Sequence, residues 1–105
     1  MNSILIVITT LPNLQEAKNL ARELIEERLA ACVQIQPSVT SIYRWNDQVC
    51  EESEVQLSIK TTTKQWLAVE SYIQKNHPYD LPELIALSPS QHSKAYGAWV
   101  SAEVK

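Results

Sequence analysis

The order in which strand-like and helix-like patterns alternate along the chain is the strongest constraint on its fold. A β-branched run at Ser3–Thr10 is followed by a helical pattern, two extended segments, a second helical pattern and a last extended segment. This β-α-β-β-α-β order is that of the split βαβ sandwich, in which the first and third strands are central and two helices cover one face. The chain of 105 residues has room for one domain. We therefore predict an α+β, ferredoxin-like fold for a single domain spanning residues 1–105.

Local signals indicate where the two main helices begin and end. Asn13, followed three residues later by Glu16, is an Asx variant of the capping box and predicts a first helix that runs to about Leu29. We predict that the second helix has Thr63 as its N-cap and ends at about Asn76. The next residue, His77, precedes Pro78, and a residue before a proline disfavours the helical conformation. Two shorter elements complete the prediction, a strand at Glu83–Leu87 and a C-terminal helix at Lys94–Ala102.

The two middle strands are predicted to form an unusually long hairpin. Asn46 and Asp47 form a two-residue turn, and because both residue types tolerate positive φ, the turn is expected to be type I′. Each arm has about 15 residues, or about 50 Å at about 3.3 Å per residue. A compact domain of this size is only about 33 Å across. The tip of the hairpin should therefore overhang the domain.

The apolar pattern of the hairpin does not fit an unbroken register. In a hairpin without irregularities, a turn at Asn46-Asp47 pairs residues whose numbers sum to 93. Gln34 would then lie opposite Ile59, on the helix-covered face, and a glutamine would be buried. Val33 and Ile35 should instead share the helix-covered face with Ile59. We therefore predict that one extra residue is accommodated as a β-bulge beside Pro37.

Two features predict an obligate homo-oligomer. The first strand is apolar on both faces as far as Ile8, although two helices can cover only one face of the sheet. The overhanging tip would also expose Tyr43 and Trp45. A closed ring in which each hairpin packs on its neighbour would cover both surfaces.

Composition excludes several classes of partner. The net charge of −3 leaves no basic excess for a phosphate backbone, so neither nucleic acid nor an anionic membrane is an expected partner. Gly97 is the only glycine, which excludes glycine-rich phosphate-binding loops. Neither a leader-like segment nor an apolar run near 18 residues is visible, so we predict a cytoplasmic, soluble protein in which Cys32 and Cys50 are reduced thiols.

Several segments of the chain carry recognisable motifs. They are Glu27–Val33, Ser41–Trp45, Ile59–Thr62 and His77–Leu84, followed by Tyr96 with Trp99. Together they resemble the CutA family of divalent-cation tolerance proteins over nearly the whole chain. The resemblance implies a ferredoxin-like fold, a trimer built through the hairpins, and an association with divalent-cation tolerance and copper binding in which no enzymatic reaction is established. The family usually has glycine where Asp47 stands and another before the Tyr96 motif, so the turn and the last loop are where this chain departs from it.

His77 and Glu83 are the candidate metal ligands. They lie six residues apart, across a loop restrained by Pro78 and Pro82, and an imidazole with a carboxylate can bind copper or zinc. The alternative for His77 is a structural cap at the end of the second helix, where the helix dipole would favour its protonated form. The alternative for Glu83 is that it holds the loop in place.

The other candidate site residues belong to a predicted cleft or interface between chains. Lys60 and Tyr79 are expected to be polar groups of an inter-subunit cleft, and Tyr43, Trp45 and Trp99 are expected to be interface or core aromatics. Three acidic residues near the tip of the second arm, Glu51, Glu52 and Glu54, are expected to form a solvated strand edge.

The function predicted from these features is non-enzymatic. We expect a homotrimer that acts in metal tolerance, requires no cofactor and binds Cu(II) or another divalent cation. One alternative is a signalling trimer of the nitrogen-regulatory kind with a small-molecule effector in the inter-subunit cleft, although basic and glycine residues for nucleotide phosphates are lacking. Another is a small hydrolase with Cys32 or Cys50 as nucleophile and His77 as base. Packing is the favoured role of Cys32, because it falls between apolar residues.

Overall fold

The computed structural model describes residues 2–105 and has the predicted order of elements. The elements are β1 (Ile4–Leu11), α1 (Leu14–Glu26), β2 (Cys32–Trp45), β3 (Gln48–Thr62), a 3₁₀ turn (Thr63–Gln65), α2 (Trp66–Asn76), β4 (Ile85–Leu87) and α3 (Lys94–Glu103). The strands form one antiparallel sheet in the order β2-β3-β1-β4. The prediction of an α+β, ferredoxin-like fold with β1 and β3 at the centre is confirmed.

The predicted N-cap is correct for α1 but not for α2. The side-chain Oδ1 of Asn13 accepts a hydrogen bond of 2.9 Å from the backbone N–H of Glu16, so the predicted cap of α1 is confirmed. The predicted N-cap at Thr63 is wrong, because its hydroxyl accepts a hydrogen bond from the backbone N–H of Ser3. A 3₁₀ turn follows, and α2 begins only at Trp66.

The end of α1 comes three residues before the predicted Leu29 because the backbone turns at Arg28. Arg28 has a φ of 57°, in the left-handed region. The N–H of Leu29 donates to the carbonyl of Leu24 at 3.0 Å and that of Arg28 to the carbonyl of Ile25 at 3.0 Å, which is a Schellman motif. The guanidinium of Arg28 also donates to the last carbonyls of α3, so this residue joins the ends of the two helices.

The hairpin has the predicted turn and the predicted bulge. Asn46 and Asp47 have φ values of 51° and 62°, which both central positions of a type I′ turn require. Pairing shifts register between Gln36 and Val39, on either side of Pro37. As a result Val33 pairs with Ile59, and its side chain packs against the core as expected.

The core lies between one face of the sheet and the helices α1 and α2. Ile25 of α1 lies at the edge of the sheet, beside β2, and is 40% exposed. The buried apolar residues of this cluster are Val7, Leu11, Ala17, Leu20, Leu24, Leu29, Ala30, Val55, Leu57, Ile59, Val69 and Ile73.

The opposite face of the sheet, which we call the open face, is only partly covered. α3 packs against β1 and β3 at the end where Ile4 and Thr62 pair, and both of these residues are buried. Further along, Ile6 and Ile8 are half-buried and face their β4 partners, which are exposed. The predicted apolar surface opposite the two main helices is therefore present.

The hairpin extends well beyond the sandwich. The chain measures 44 × 27 × 23 Å along its principal axes, and the long axis reflects the extended arms of β2 and β3. Past the bulge, Ile42 and Val49 are exposed on one face of the hairpin, and Tyr43 and Trp45 are exposed on the other. None of the helices in residues 2–105 is long and apolar enough to cross a membrane.

Candidate functional site

His77 directly follows α2, and both of its ring nitrogens are hydrogen-bonded to backbone groups. Its Nδ1 accepts a hydrogen bond of 3.1 Å from the N–H of Tyr79, so the ring proton lies on Nε2. This Nε2–H donates to the carbonyl of Thr10 in β1 at 2.8 Å. Burial lowers the pKa of His77, although the Thr10 carbonyl opposes the shift. This direction is opposite to the one expected from the helix dipole, because burial disfavours the charged ring.

This arrangement resembles the way a metal-binding histidine is oriented. Such a histidine usually donates its second ring N–H to a carboxylate or backbone carbonyl, which fixes the tautomer and leaves the other nitrogen free for the metal. In His77 the orienting bond to Thr10 is present, and the lone pair of Nδ1 is engaged by Tyr79. A metal ion at Nδ1 would therefore have to replace one hydrogen bond.

Glu83, the second predicted ligand, lies further along the same loop. Its side chain is exposed, between the half-buried Pro82 and Leu84. Within residues 2–105, the structure contains no group of three or more histidine, cysteine, aspartate or glutamate side chains placed to hold a metal ion. A complete coordination sphere that uses His77 and Glu83 would need ligands from solvent or from another chain.

Tyr79 fixes the loop to the sheet on the side opposite the helices. Its hydroxyl donates a hydrogen bond of 2.9 Å to Oε2 of Glu54 in β3. The rings of His77 and Tyr79 lie 5.0 Å apart. Burial, followed by the hydrogen bond to Glu54, raises the pKa of Tyr79, so its hydroxyl stays a donor at neutral pH. Together, His77 and Tyr79 attach the loop after α2 to both central strands.

A second tyrosine and glutamate pair lies nearer the hairpin tip. The hydroxyl of Tyr43 donates a hydrogen bond of 2.7 Å to Oε1 of Glu52. This bond is the main reason that the pKa of Tyr43 is raised to about 12. The acidic residues had been expected to be a solvated edge, but Glu52 and Glu54 each bind a tyrosine. The two glutamates are two residues apart, which places both side chains on one face of the strand. This spacing is the sequence feature that could have indicated their shared role.

Lys60 lies on the open face, where it pairs with Ile6 on one side and Cys32 on the other. Its Nζ donates a hydrogen bond of 2.6 Å to Oε1 of Gln34. Tyr79 is hydrogen-bonded to Glu54, which lies six residues from Lys60 on β3, about 20 Å along the strand. One chain therefore does not bring Lys60 and Tyr79 into a single cleft.

The two cysteines are free, half-buried thiols in different parts of the hairpin. Cys32 begins β2, close to Tyr96 of α3, whose pKa is raised by burial first and then by this thiol. Cys50 lies opposite Tyr43, near the tip. His77 is bonded to neither of them.

The predicted interface aromatics remain accessible in the single chain. Tyr43, Trp45 and Trp99 are all exposed, and the ring of Trp99 lies 5.7 Å from that of Tyr96. His92 packs over Gly97, where a Cβ would clash with its ring. Its Nδ1 bonds to the carbonyl of Ser93.

We expect the free energy of unfolding to fall as the pH is lowered from about 7.5 to about 5.5. The folded chain holds the pKa of His77 below its ordinary value of 6.5, so in this range the unfolded state binds more protons. Urea unfolding at a series of pH values measures the slope. His77→Gln, which cannot titrate, should flatten it, and equal slopes in the two proteins would contradict this assignment.

The fold and the candidate site together define a class of protein. It is an α+β ferredoxin-like domain with an overhanging hairpin, in which the loop after the second helix is attached to both central strands. The model of the CutA1 divalent ion tolerance protein family matches residues 5–103. The chain therefore belongs to the CutA1 family, as its motifs had indicated.

Individual relatives agree with this membership. The divalent-cation tolerance protein CutA of Thermus thermophilus is 41% identical over 95 residues, which cover 90% of this chain and 92% of the relative. That of Yersinia pestis is 39% identical over 100 residues, covering 95% of this chain and 84% of the relative. The crystal structure of CutA from Xylella fastidiosa is 36% identical and superposes with a TM-score of 0.95, covering 98% of this chain and 99% of the other.

Proposed function

We propose that this protein is a cytoplasmic homotrimer that acts in divalent-cation tolerance by binding metal ions, copper above all, without catalysing a reaction. The observation that carries the proposal is the family match over residues 5–103, together with relatives named divalent-cation tolerance proteins. The exposed apolar surfaces of the open face and of the hairpin tip support an assembly of several chains.

His77 supports metal binding because its Nδ1 carries the lone pair and its Nε2–H is already oriented by Thr10. In this proposal a divalent cation takes the place of the Tyr79 N–H at Nδ1, and the exposed carboxylate of Glu83 supplies a second ligand. The ion competes with a hydrogen bond, so binding is weaker than at a preformed site. Copper is expected to bind more tightly than zinc, nickel or cobalt, since imidazole and carboxylate ligands follow the Irving–Williams order.

The surroundings of the thiols support a role without catalysis. A cysteine hydrolase needs a histidine within hydrogen-bond reach of the thiol to generate the thiolate. In this chain both ring nitrogens of His77 are bonded to the backbone, at Thr10 and Tyr79. Thr10 pairs with Gln56, six residues along β3 from Cys50, or about 20 Å.

Calorimetric titration with Cu(II), Zn(II), Ni(II) and Co(II) tests this proposal. His77→Ala is expected to weaken copper binding about tenfold or more, because losing even a group that only orients a ligand typically costs 10–100-fold. His92→Ala is the matched control and should change the affinity little, while Glu83→Gln should weaken binding through the second ligand. Sedimentation of each variant confirms that the assembly is intact. Equal copper affinity in wild type and His77→Ala would contradict the metal-binding role of His77 and would leave it only the role of attaching the loop to β1.

A further inference from the structure

Only one of the two tyrosine and glutamate pairs is connected to the candidate metal ligand. Tyr43 and Glu52 are joined by a hydrogen bond of 2.7 Å, and both side chains are exposed. Tyr79 and Glu54 are joined by a hydrogen bond of 2.9 Å, and both are half-buried. The backbone N–H of Tyr79 also donates to Nδ1 of His77 at 3.1 Å. Tyr79 is therefore held at both ends, by the histidine ring and by the strand.

The ring of His77 cannot turn its Nδ1 away from Tyr79 at little cost. Its Nε2–H donates to the carbonyl of Thr10 at 2.8 Å, and a rotation of the ring would break this bond. Pro78 lies between the two residues and has a fixed φ, which removes one of the rotations that could separate them. If Nδ1 is to bind a metal ion, the backbone of Tyr79 has to move instead.

The side chain of Tyr79 opposes this movement. Its hydroxyl is bonded to Glu54, in the central strand β3. Thr10, which orients the histidine, pairs with Gln56, two residues from Glu54 on the same strand. The two points of attachment thus belong to one part of the sheet and do not shift relative to each other. A displacement of the Tyr79 N–H from Nδ1 strains the bond at the other end of the residue.

We propose that the hydrogen bond between Tyr79 and Glu54 restrains metal binding at His77. A divalent cation at Nδ1 displaces the Tyr79 N–H, and the movement of the backbone breaks the bond from the hydroxyl to Glu54. The coupling is reciprocal, so the metal ion weakens this bond and loss of the bond strengthens metal binding. The inference rests on the proposed metal site and makes Tyr79 a positioning residue that sets its affinity.

Tyr79→Phe tests the restraint, because it removes the hydroxyl and keeps the ring. Calorimetric titration is expected to show Cu(II) and Zn(II) binding about three- to tenfold tighter than wild type, the range of equilibrium change that one hydrogen bond typically gives. Urea denaturation without metal should show a lower free energy of unfolding. A merely structural tyrosine would lower stability without raising the affinity. In a His77→Ala background the gain in affinity should disappear.

Tyr43→Phe is the matched control, since it deletes the same atom from the pair that does not contact His77. It should leave the metal affinity unchanged. A spectroscopic readout uses Zn(II), whose filled d shell keeps the signal that of the protein. When Zn(II) is added, loss of the bond to Glu54 should shift the near-ultraviolet absorption of Tyr79. The shift should be present in wild type and Tyr43→Phe and absent in Tyr79→Phe.

The outcomes separate the restraint from the metal site itself. A wild type that binds neither ion, or that binds equally well after His77→Ala, would overturn the proposed metal site and the restraint with it. A wild type that binds through His77 while Tyr79→Phe binds with equal or lower affinity would overturn the restraint alone. A gain in affinity that Tyr43→Phe reproduces, or a Zn(II)-induced shift that persists in Tyr79→Phe, would also overturn it.

Discussion

Leu24→Ala is expected to lower the free energy of unfolding by about 2–5 kcal/mol. Leu24 lies on the inner face of α1 with none of its side chain exposed, in the core cluster that includes Leu57 and Val69. Truncation removes buried apolar surface and leaves a cavity among side chains held in place by the sheet. Urea denaturation at a fixed protein concentration measures the loss.

Leu67→Ala is the matched control, because it makes the same change on a helix at a position that is 74% exposed. It should change stability by less than about 0.5 kcal/mol, as surface substitutions usually do. Both substitutions gain the helix propensity of alanine, so the difference between them isolates burial. Equal losses at the two positions would contradict the placement of the core.

Trp45→Ala is expected to weaken self-association by about 2 kcal/mol or more per contact. Trp45 ends β2 at the tip of the hairpin and is 51% exposed in the single chain. A large aromatic ring that fills a pocket of a neighbour loses most of its binding contribution when truncated, and 2 kcal/mol is about a thirtyfold change in the dissociation constant. Sedimentation equilibrium at micromolar concentration measures it.

Gln48→Ala is the control for this substitution, since Gln48 pairs with Trp45 across the turn but is polar. It should leave the association constant within about threefold of wild type. A wild-type chain that sediments at its monomer mass of 11.9 kDa with native circular dichroism would contradict the predicted obligate trimer. An unchanged association constant for Trp45→Ala in a trimeric protein would place the interface elsewhere.

The fold was predictable to within a few residues because its signals are local. Alternation with a period of two or 3.6 distinguishes strands from helices. Asn46-Asp47 defines the turn, and the bulge beside Pro37 follows from requiring Val33 to face the core. The end of α1 was less predictable, since Arg28 adopts the left-handed conformation that glycine usually supplies.

The candidate site was predictable as a set of residues but not as an arrangement. His77 and Glu83 could be selected for their chemistry and their positions beside the two prolines of the loop. The bonds from His77 to Thr10 and from Tyr79 to Glu54 join residues 67 and 25 positions apart, which no local pattern encodes.

Element order, turn type and register thus follow from the sequence alone, because each depends on the conformational preferences and side-chain periodicity of neighbouring residues. The neutral tautomer of His77 and the pairing of two tyrosines with two glutamates required the folded chain. Burial and hydrogen bonding of these groups depend on which distant segments pack together, and that packing sets the pKa and the accessibility of each side chain.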